Sequence, residues 1–250
     1  MLDPKSVGGF DAVVNLAGAG IGDKRWSESR KKLIYDSRID STDLLVRSLV
    51  AADDPPGVLI SESAIGFYGD RDVPVTEGDG AADPPDFLSR LCEDWEAATA
   101  PATAAGMRTV CIRTGLVLAR EGGAMAKLLL PFRLGIGGRL GAGETSWSWI
   151  SIDDHIRAIR HVIDHPVSGP VNLTAPTPVT NSEFTKALGA ALRRPTLLPV
   201  PKLALELLLG KELAEALLFT SARVLPAKLE EAGFEFKHPE IASALRDVLE

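Results

Sequence analysis

Several groups of residues in this 250-residue chain have types and spacings that could do chemistry. Gly18-Ala-Gly-Ile-Gly22 follows a strand pattern and precedes a helix pattern, the setting of a phosphate-binding turn. Its third glycine comes one residue early, however, and Asp23 stands in that place, where a carboxylate would repel a pyrophosphate. No phosphate cradle is expected there. Gly135 to Gly143 is also rich in glycine, but no strand leads directly into it. His161 and His165 have the i, i+4 spacing of a metal pair. No third ligand is apparent, and histidine is favourable near a helix C-terminus in any case, so no metal is expected. Trp147 and Trp149 flank Ser148 and read equally well as walls of a ligand pocket or as core.

The elements that must position these groups alternate between strand and helix over the first two thirds, which predicts an α/β fold with a parallel sheet. Ala12 to Leu16 reads as a buried strand, and Ser27 to Ala52 carries Leu33, Ile34, Leu44, Leu45 and Leu49 at helical spacing. Val58 to Ser61 reads as a short strand, Asp70 to Pro85 as a loop rich in Pro, Gly and Asp, and Asp86 to Ala105 as one helix with a good N-cap. Arg108 to Arg113 reads as another strand. Helices are predicted over Ala124 to Leu134 and over Asp153 to Asp164, a strand over Val171 to Leu173, and a helix capped by Asn181 running to about Leu192. From Pro195 onward the pattern is of short helices separated by prolines. The strand Ala12 to Leu16 ends in small residues, Asn15-Leu-Ala-Gly18, at what would be the carboxyl edge of the sheet, where open α/β sheets bind ligands.

Bulk composition narrows the class. Hydrophobic residues make up 45% and charged residues 24%, ordinary for a globular chain able to bury a sizeable core. The net charge of −7 argues against nucleic acid or an anionic membrane as the main partner. No apolar run reaches the length of a membrane span, and Met1-Leu-Asp-Pro lacks the basic start and apolar region of a signal peptide. Cys92 and Cys111 stand alone, which points to reduced thiols and a cytoplasmic location.

Four motifs in order, Asn15-Leu-Ala-Gly18, Ser61-Glu-Ser-Ala-Ile-Gly-Phe-Tyr-Gly69, Ile112-Arg-Thr-Gly-Leu-Val-Leu118 and Trp149-Ile-Ser-Ile-Asp-Asp154, resemble the extended short-chain dehydrogenase/reductases of the NAD(P)-dependent epimerase/dehydratase group. Trp26, Ser37-Arg-Ile-Asp-Ser-Thr42, Phe87-Leu-Ser-Arg-Leu-Cys-Glu-Asp-Trp-Glu96 and Leu225-Pro-Ala-Lys-Leu-Glu-Glu-Ala-Gly-Phe234 narrow the likeness to an "epimerase family" of oxidoreductases with a C-terminal domain of unknown function. The resemblance implies a Rossmann-like sheet in residues 1–175, N-terminally incomplete and with substrate-loop elements from about residue 119, and a small, mostly helical domain in residues 176–250. Three strands and a glycine-rich turn would come before Phe10 in such a fold. The chain is expected to lack them, leaving an uncovered edge on the strand Ala12 to Leu16 and only weak dinucleotide binding by residues 1–250.

The resemblance also implies site roles. Asn15, Leu16, Ala17, Gly18 and Val117 would run beside the cofactor. Ser63 would hydrogen-bond a substrate oxygen. Arg38 would bind a cofactor hydroxyl or polarise a carbonyl, with a surface arginine as the competing account. The Tyr–Lys couple that handles protons in the superfamily falls on Leu88 and Cys92, neither of which can do so, and Tyr68 is the substitute acid considered. Arg113 is either part of the segment beside the nicotinamide or a structural anchor. The expected cofactor is NADP rather than NAD, the chemistry oxidoreduction or epimerase-like turnover of a small carbonyl or alcohol, with a homodimer left open. The alternatives are a non-catalytic NADP(H) sensor or pseudo-enzyme, and a truncated, inactive chain.

Overall fold

The structure is a computed structural model that describes residues 7–71 and 73–250. In chain order the elements are β1 (Ala12–Asn15), α1 (Glu28–Val50), β2 (Val58–Ala64), a 3-10 turn (Ile65–Tyr68), β3 (Pro74–Val75), α2 (Phe87–Ala97) and α3 (Ala100–Ala104). Then come β4 (Arg108–Thr114), β5 (Leu116–Leu118), α4 (Gly123–Arg133), β6 (Ser146–Trp147), β7 (Trp149–Ser151), α5 (Ile152–Asp164) and β8 (Gly169–Leu173). Next are β9 (Val179–Thr180), α6 (Asn181–Leu192), α7 (Lys202–Leu209), α8 (Lys211–Ala214), β10 (Arg223–Val224), α9 (Ala227–Glu231) and α10 (Ile241–Leu249). The α/β class expected from the alternation is the class observed. No helix among the described residues is long and apolar enough to cross a membrane.

The chain forms two compact units. The first comprises residues 1–69, 80–114 and 159–171. Its sheet has the order β1-β2-β4-β8, with β1 at one edge. β1 runs parallel to β2 in the register Ala12–Val58 to Asn15–Ser61, and β2 runs parallel to β4 from Val58–Arg108 to Ala64–Thr114. One face is sealed by α1 and α3: Val46, Leu49, Ala102 and Met107 pack with Leu59 and Val13. On β1, Val14 remains 40% exposed, as an edge strand allows. Arg108 donates to the carbonyls of Val162, Ile163 and Val167, which satisfies the open C-terminus of α5 with a cation.

Helix α1 starts as the sequence predicts. Ser27 is extended and its hydroxyl accepts from Arg30 N. The single helix predicted over Asp86 to Ala105 is instead two. Asp86 caps α2 by accepting from Ser89 N, but the helix ends at Ala97. Pro101 then sits in the first turn of α3, where its missing N–H costs nothing.

The second unit comprises residues 70–79, 115–158 and 172–250. Its core contains Leu118, Met125, Leu129, Trp147, Trp149, Phe184, Leu188 and Leu245. Trp147 lies 5.0 Å from Phe184 between ring centroids, and Trp149 is fully buried. The core reading of the tryptophan pair is therefore the one observed. The capping residue of α6 is Thr180 rather than Asn181. Thr180 and Glu183 form a capping box, which leaves the Asn181 side chain to accept from Leu140 N. Between β1 and α1, a Cβ on Gly20 would come 2.1 Å from Asp23 Oδ2, so the aspartate fills that space. His161 and His165 stack ring on ring at 3.8 Å.

Candidate functional site

The carboxyl end of the first unit's sheet carries two clusters of polar side chains. One surrounds the loop leaving β1. Asn15 Oδ1 accepts from Ala17 N at 3.2 Å, and its Nδ2 donates to Thr42 Oγ1 at 3.0 Å. The loop is then clamped from α1 by two consecutive residues. Ser37 Oγ accepts from Ala19 N, while Arg38 Nη1 donates to Ala19 O and to Ile34 O. A Cβ on Gly18 would lie 2.9 Å from the Arg38 Cζ, so only glycine lets the guanidinium lie this close to the backbone. The other side of the guanidinium lies 4.9 Å from the Trp95 ring centroid, a cation–π distance. Burial lowers the Arg38 pKa from the ordinary arginine value, yet arginine stays a cation in proteins. Its Nε is buried with no hydrogen-bond acceptor. Ser61, in register with Asn15 on the neighbouring strand, likewise has a buried hydroxyl with no partner.

The second cluster is built on a buried ion pair. Arg113 on β4 donates Nε to Glu96 Oε1 at 2.7 Å and Nη2 to Glu96 Oε2 at 2.8 Å. Its Nη1 donates to the Tyr68 hydroxyl at 2.9 Å, and its guanidinium lies 3.4 Å from the Phe67 ring centroid. Burial works against this charge, but the Glu96 bonds outweigh it and raise the Arg113 pKa above the usual value. Ser63 donates to the same Glu96 Oε1 at 2.7 Å. Tyr68 is fully buried and Ser63 is 1% exposed. The anchor role considered for Arg113 is thus the role its contacts describe.

The sequence-predicted residues therefore fall into groups. Asn15, Leu16, Ala17, Gly18 and Arg38 meet around one loop. Ser63 and Tyr68 meet at the Arg113–Glu96 pair. Val117 lies on β5 in the second unit, in register with Ile150 of β7. Leu88 and Cys92 face Gly66, whose Cβ would sit 3.2 Å from Leu88 Cβ and 3.9 Å from Cys92 Sγ. Burial, reinforced by the Glu96 charge, pushes the Cys92 thiol up to about 12, so it stays protonated and uncharged.

One titratable group was missed in the sequence. Glu62 lies between Ser61 and Ser63 on β2, and strand alternation turns it to the opposite face from both. It remains partly accessible. Burial raises its carboxyl to about 7, against the opposing effects of a hydrogen bond with Thr114 and of the Arg38 charge.

Comparison with known proteins identifies the family. Residues 4–174 match the model of the NAD dependent epimerase/dehydratase family, and residues 200–248 match a domain of unknown function, DUF1731. The chain is similar to an epimerase family protein of Mycobacterium tuberculosis, MT2273, with 46% identity over 97% of this chain and 80% of that protein. It is also similar to the human epimerase family protein SDR39U1, with 35% identity over 96% of this chain and 82% of the human one. The crystal structure of the human protein with NADPH superposes with a TM-score of 0.91, covering 96% of this chain and 81% of that one. With a family model spanning most of its length and relatives this close over nearly all of it, the chain belongs to the NAD dependent epimerase/dehydratase family.

Proposed function

We propose that this protein binds NADPH at the carboxyl end of the β1-β2-β4-β8 sheet and works as an oxidoreductase or epimerase-like enzyme on a small carbonyl or alcohol. The observation that carries this reading is the human relative crystallised with NADPH, alike in sequence and fold over nearly the whole chain. The residues present suit such a ligand. Arg38 Nε is a buried donor without an acceptor, and the Ser61 hydroxyl is buried without a partner. Small residues from Ala17 to Gly18 let a ligand approach the backbone. When bound, a nicotinamide supplies the redox step that a side chain cannot perform. This chain's own contribution is to hold it: Asn15 and Ser37 fix the loop, and Arg38 offers its charge and a free donor. In this reading residues 1–175 bind the cofactor, residues 176–250 serve the substrate, and the two buried cysteines, neither of them in a disulfide, suit a reducing cytoplasm.

The test is a fluorescence titration of the chain with NADPH and with NADH. Saturable NADPH binding, tighter than that of NADH, is expected. Arg38→Ala should weaken it at least about tenfold, since a charge-assisted hydrogen bond contributes roughly 1.5–3 kcal/mol. No binding, or a preference for NADH, would overturn the reading. A second reading, a non-catalytic NADP(H) sensor, is favoured by the burial of Leu88 and Cys92 where the superfamily has its Tyr–Lys couple. Tight NADPH binding with no turnover across a carbonyl panel would support it.

A further inference from the structure

The two hydroxyls first considered for work on the substrate oxygen, Ser63 as hydrogen-bond donor and Tyr68 as acid, are both committed inward. The Ser63 proton goes to Glu96, and the Tyr68 oxygen is held by Arg113 in full burial. Leu88 has no exchangeable proton, and the Cys92 thiol is locked in its neutral form. Arg38 cannot release a proton near neutral pH. Glu96 is held by both Arg113 and Ser63, whereas Glu62 is a second acid at this end of the sheet, outside that ion pair, and its placement suits the task. It sits near the carboxyl end of β2, in register with Ile112 of β4. Thr114, diagonally across on the same face, hydrogen-bonds its side chain, and the Arg38 charge acts on it from α1. Arg113, next to Thr114 in the chain, belongs to the other face and is engaged by Glu96.

We propose that Glu62 is the proton-exchanging group of this site, donating to or accepting from the oxygen of a substrate carbonyl or alcohol in place of the absent tyrosine. The inference rests on the NADPH-dependent reading above. In carbonyl reduction by the nicotinamide dinucleotide, the substrate O–H bond forms as the Glu62 O–H bond breaks, and a carboxylate is left behind. Arg38 and Thr114 stabilise that carboxylate. Solvent then returns the proton through the accessible side of the group. Alcohol oxidation runs the same transfer in reverse. A carboxyl raised to about 7 populates both states at neutral pH, which general acid–base work requires.

The test is an NMR titration of protein labelled with 13C at its glutamate carboxyl carbons, with and without saturating NADPH, alongside calorimetry of NADPH binding. One resonance, absent from Glu62→Gln, should titrate near pH 7. Added NADPH, an anion, should move its midpoint upward by at least about half a unit. With any substrate that turns over, the neutral limb of the pH–rate profile should be lost in Glu62→Gln and regained in Glu62→Asp. The proposal falls if no glutamate titrates near pH 7, or if NADPH binds and the Glu62 midpoint stays in place. Absence of NADPH binding by calorimetry would instead remove the functional reading itself, and this proposal with it.

Discussion

Arg113 grips Glu96 with two parallel hydrogen bonds, at 2.7 and 2.8 Å, joining β4 to α2 across seventeen residues of sequence. The same carboxylate accepts the Ser63 proton, and the same guanidinium holds the Tyr68 hydroxyl. Four side chains from four elements thus share two charges. Removing one partner strands the other in a site where Arg113 is 4% exposed and Glu96 16%.

We therefore expect Arg113→Met to destabilise the protein by about 3–5 kcal/mol, the usual penalty for an uncompensated buried charge. Arg113→Lys should recover only part of this, because an ammonium cannot span both carboxylate oxygens. Urea denaturation checks both variants. An Arg113→Met midpoint equal to that of the parent protein would show that the pair contributes nothing.

Glu62 makes stability depend on pH in the direction opposite to most carboxylates. Its folded value of about 7 lies above the ordinary 4.5. Between those values the folded protein holds a proton that the unfolded chain has released, so stability falls as pH rises through this window. Glu62→Gln should be more stable than the parent at pH 8 by about 1–3 kcal/mol, allowing for partial solvation. The two should converge near pH 4. Parallel stability curves across that range would contradict the assignment.

His155 works the other way. Burial lowers it from 6.5 to about 4. Below pH 6.5 the unfolded chain takes up a proton that the folded protein refuses, so stability is present above 6.5 and is lost as pH falls toward 4. The loss amounts to at most about 3 kcal/mol. Thermal melts of His155→Gln should show a flatter acid limb than the parent, whatever the variant's absolute stability.

Cys92 should behave as an inert core residue. With its thiol pushed to about 12, the thiolate that reacts with iodoacetamide is scarce at pH 8. Mass spectrometry should find Cys92 unlabelled in the native protein and labelled once the protein is unfolded. Cys92→Ala should leave NADPH affinity unchanged. Rapid native labelling would mean that this helix face is open.

The parts of this picture that were legible in sequence are those fixed by local chemistry. Ala12 to Leu16 followed by small residues marked a sheet edge, and Ser27 marked a helix start, because each signal lies within a few residues of what it determines. Thr180 was overlooked for Asn181 because both are capping types, and the choice was settled by Glu183 reaching back and Leu140 claiming the amide. The break after Ala97 carried a proline signal at Pro101 that helical periodicity masked. The Arg113–Glu96 pairing was beyond reach, since it depends on how α2 packs beside β4 in three dimensions. Glu62 could have been found: reading Ser61, Glu62 and Ser63 as alternating positions on a strand already separates the acid from its neighbours.

The first unit is not contiguous in the chain. It combines residues 1–69, 80–114 and 159–171, and the last of these begins β8, the strand that closes the sheet beside β4. During synthesis, then, β1, β2 and β4 emerge well before the strand that flanks them. At 5–20 residues per second the interval is about 3–11 s. For that time β4 presents an unpaired edge whose backbone N–H and C=O groups, beside Val110, Cys111 and Ile112, can pair with other nascent chains. The order in which the strands leave the ribosome, rather than the stability of the finished sheet, thus sets when this protein is most exposed to misassembly.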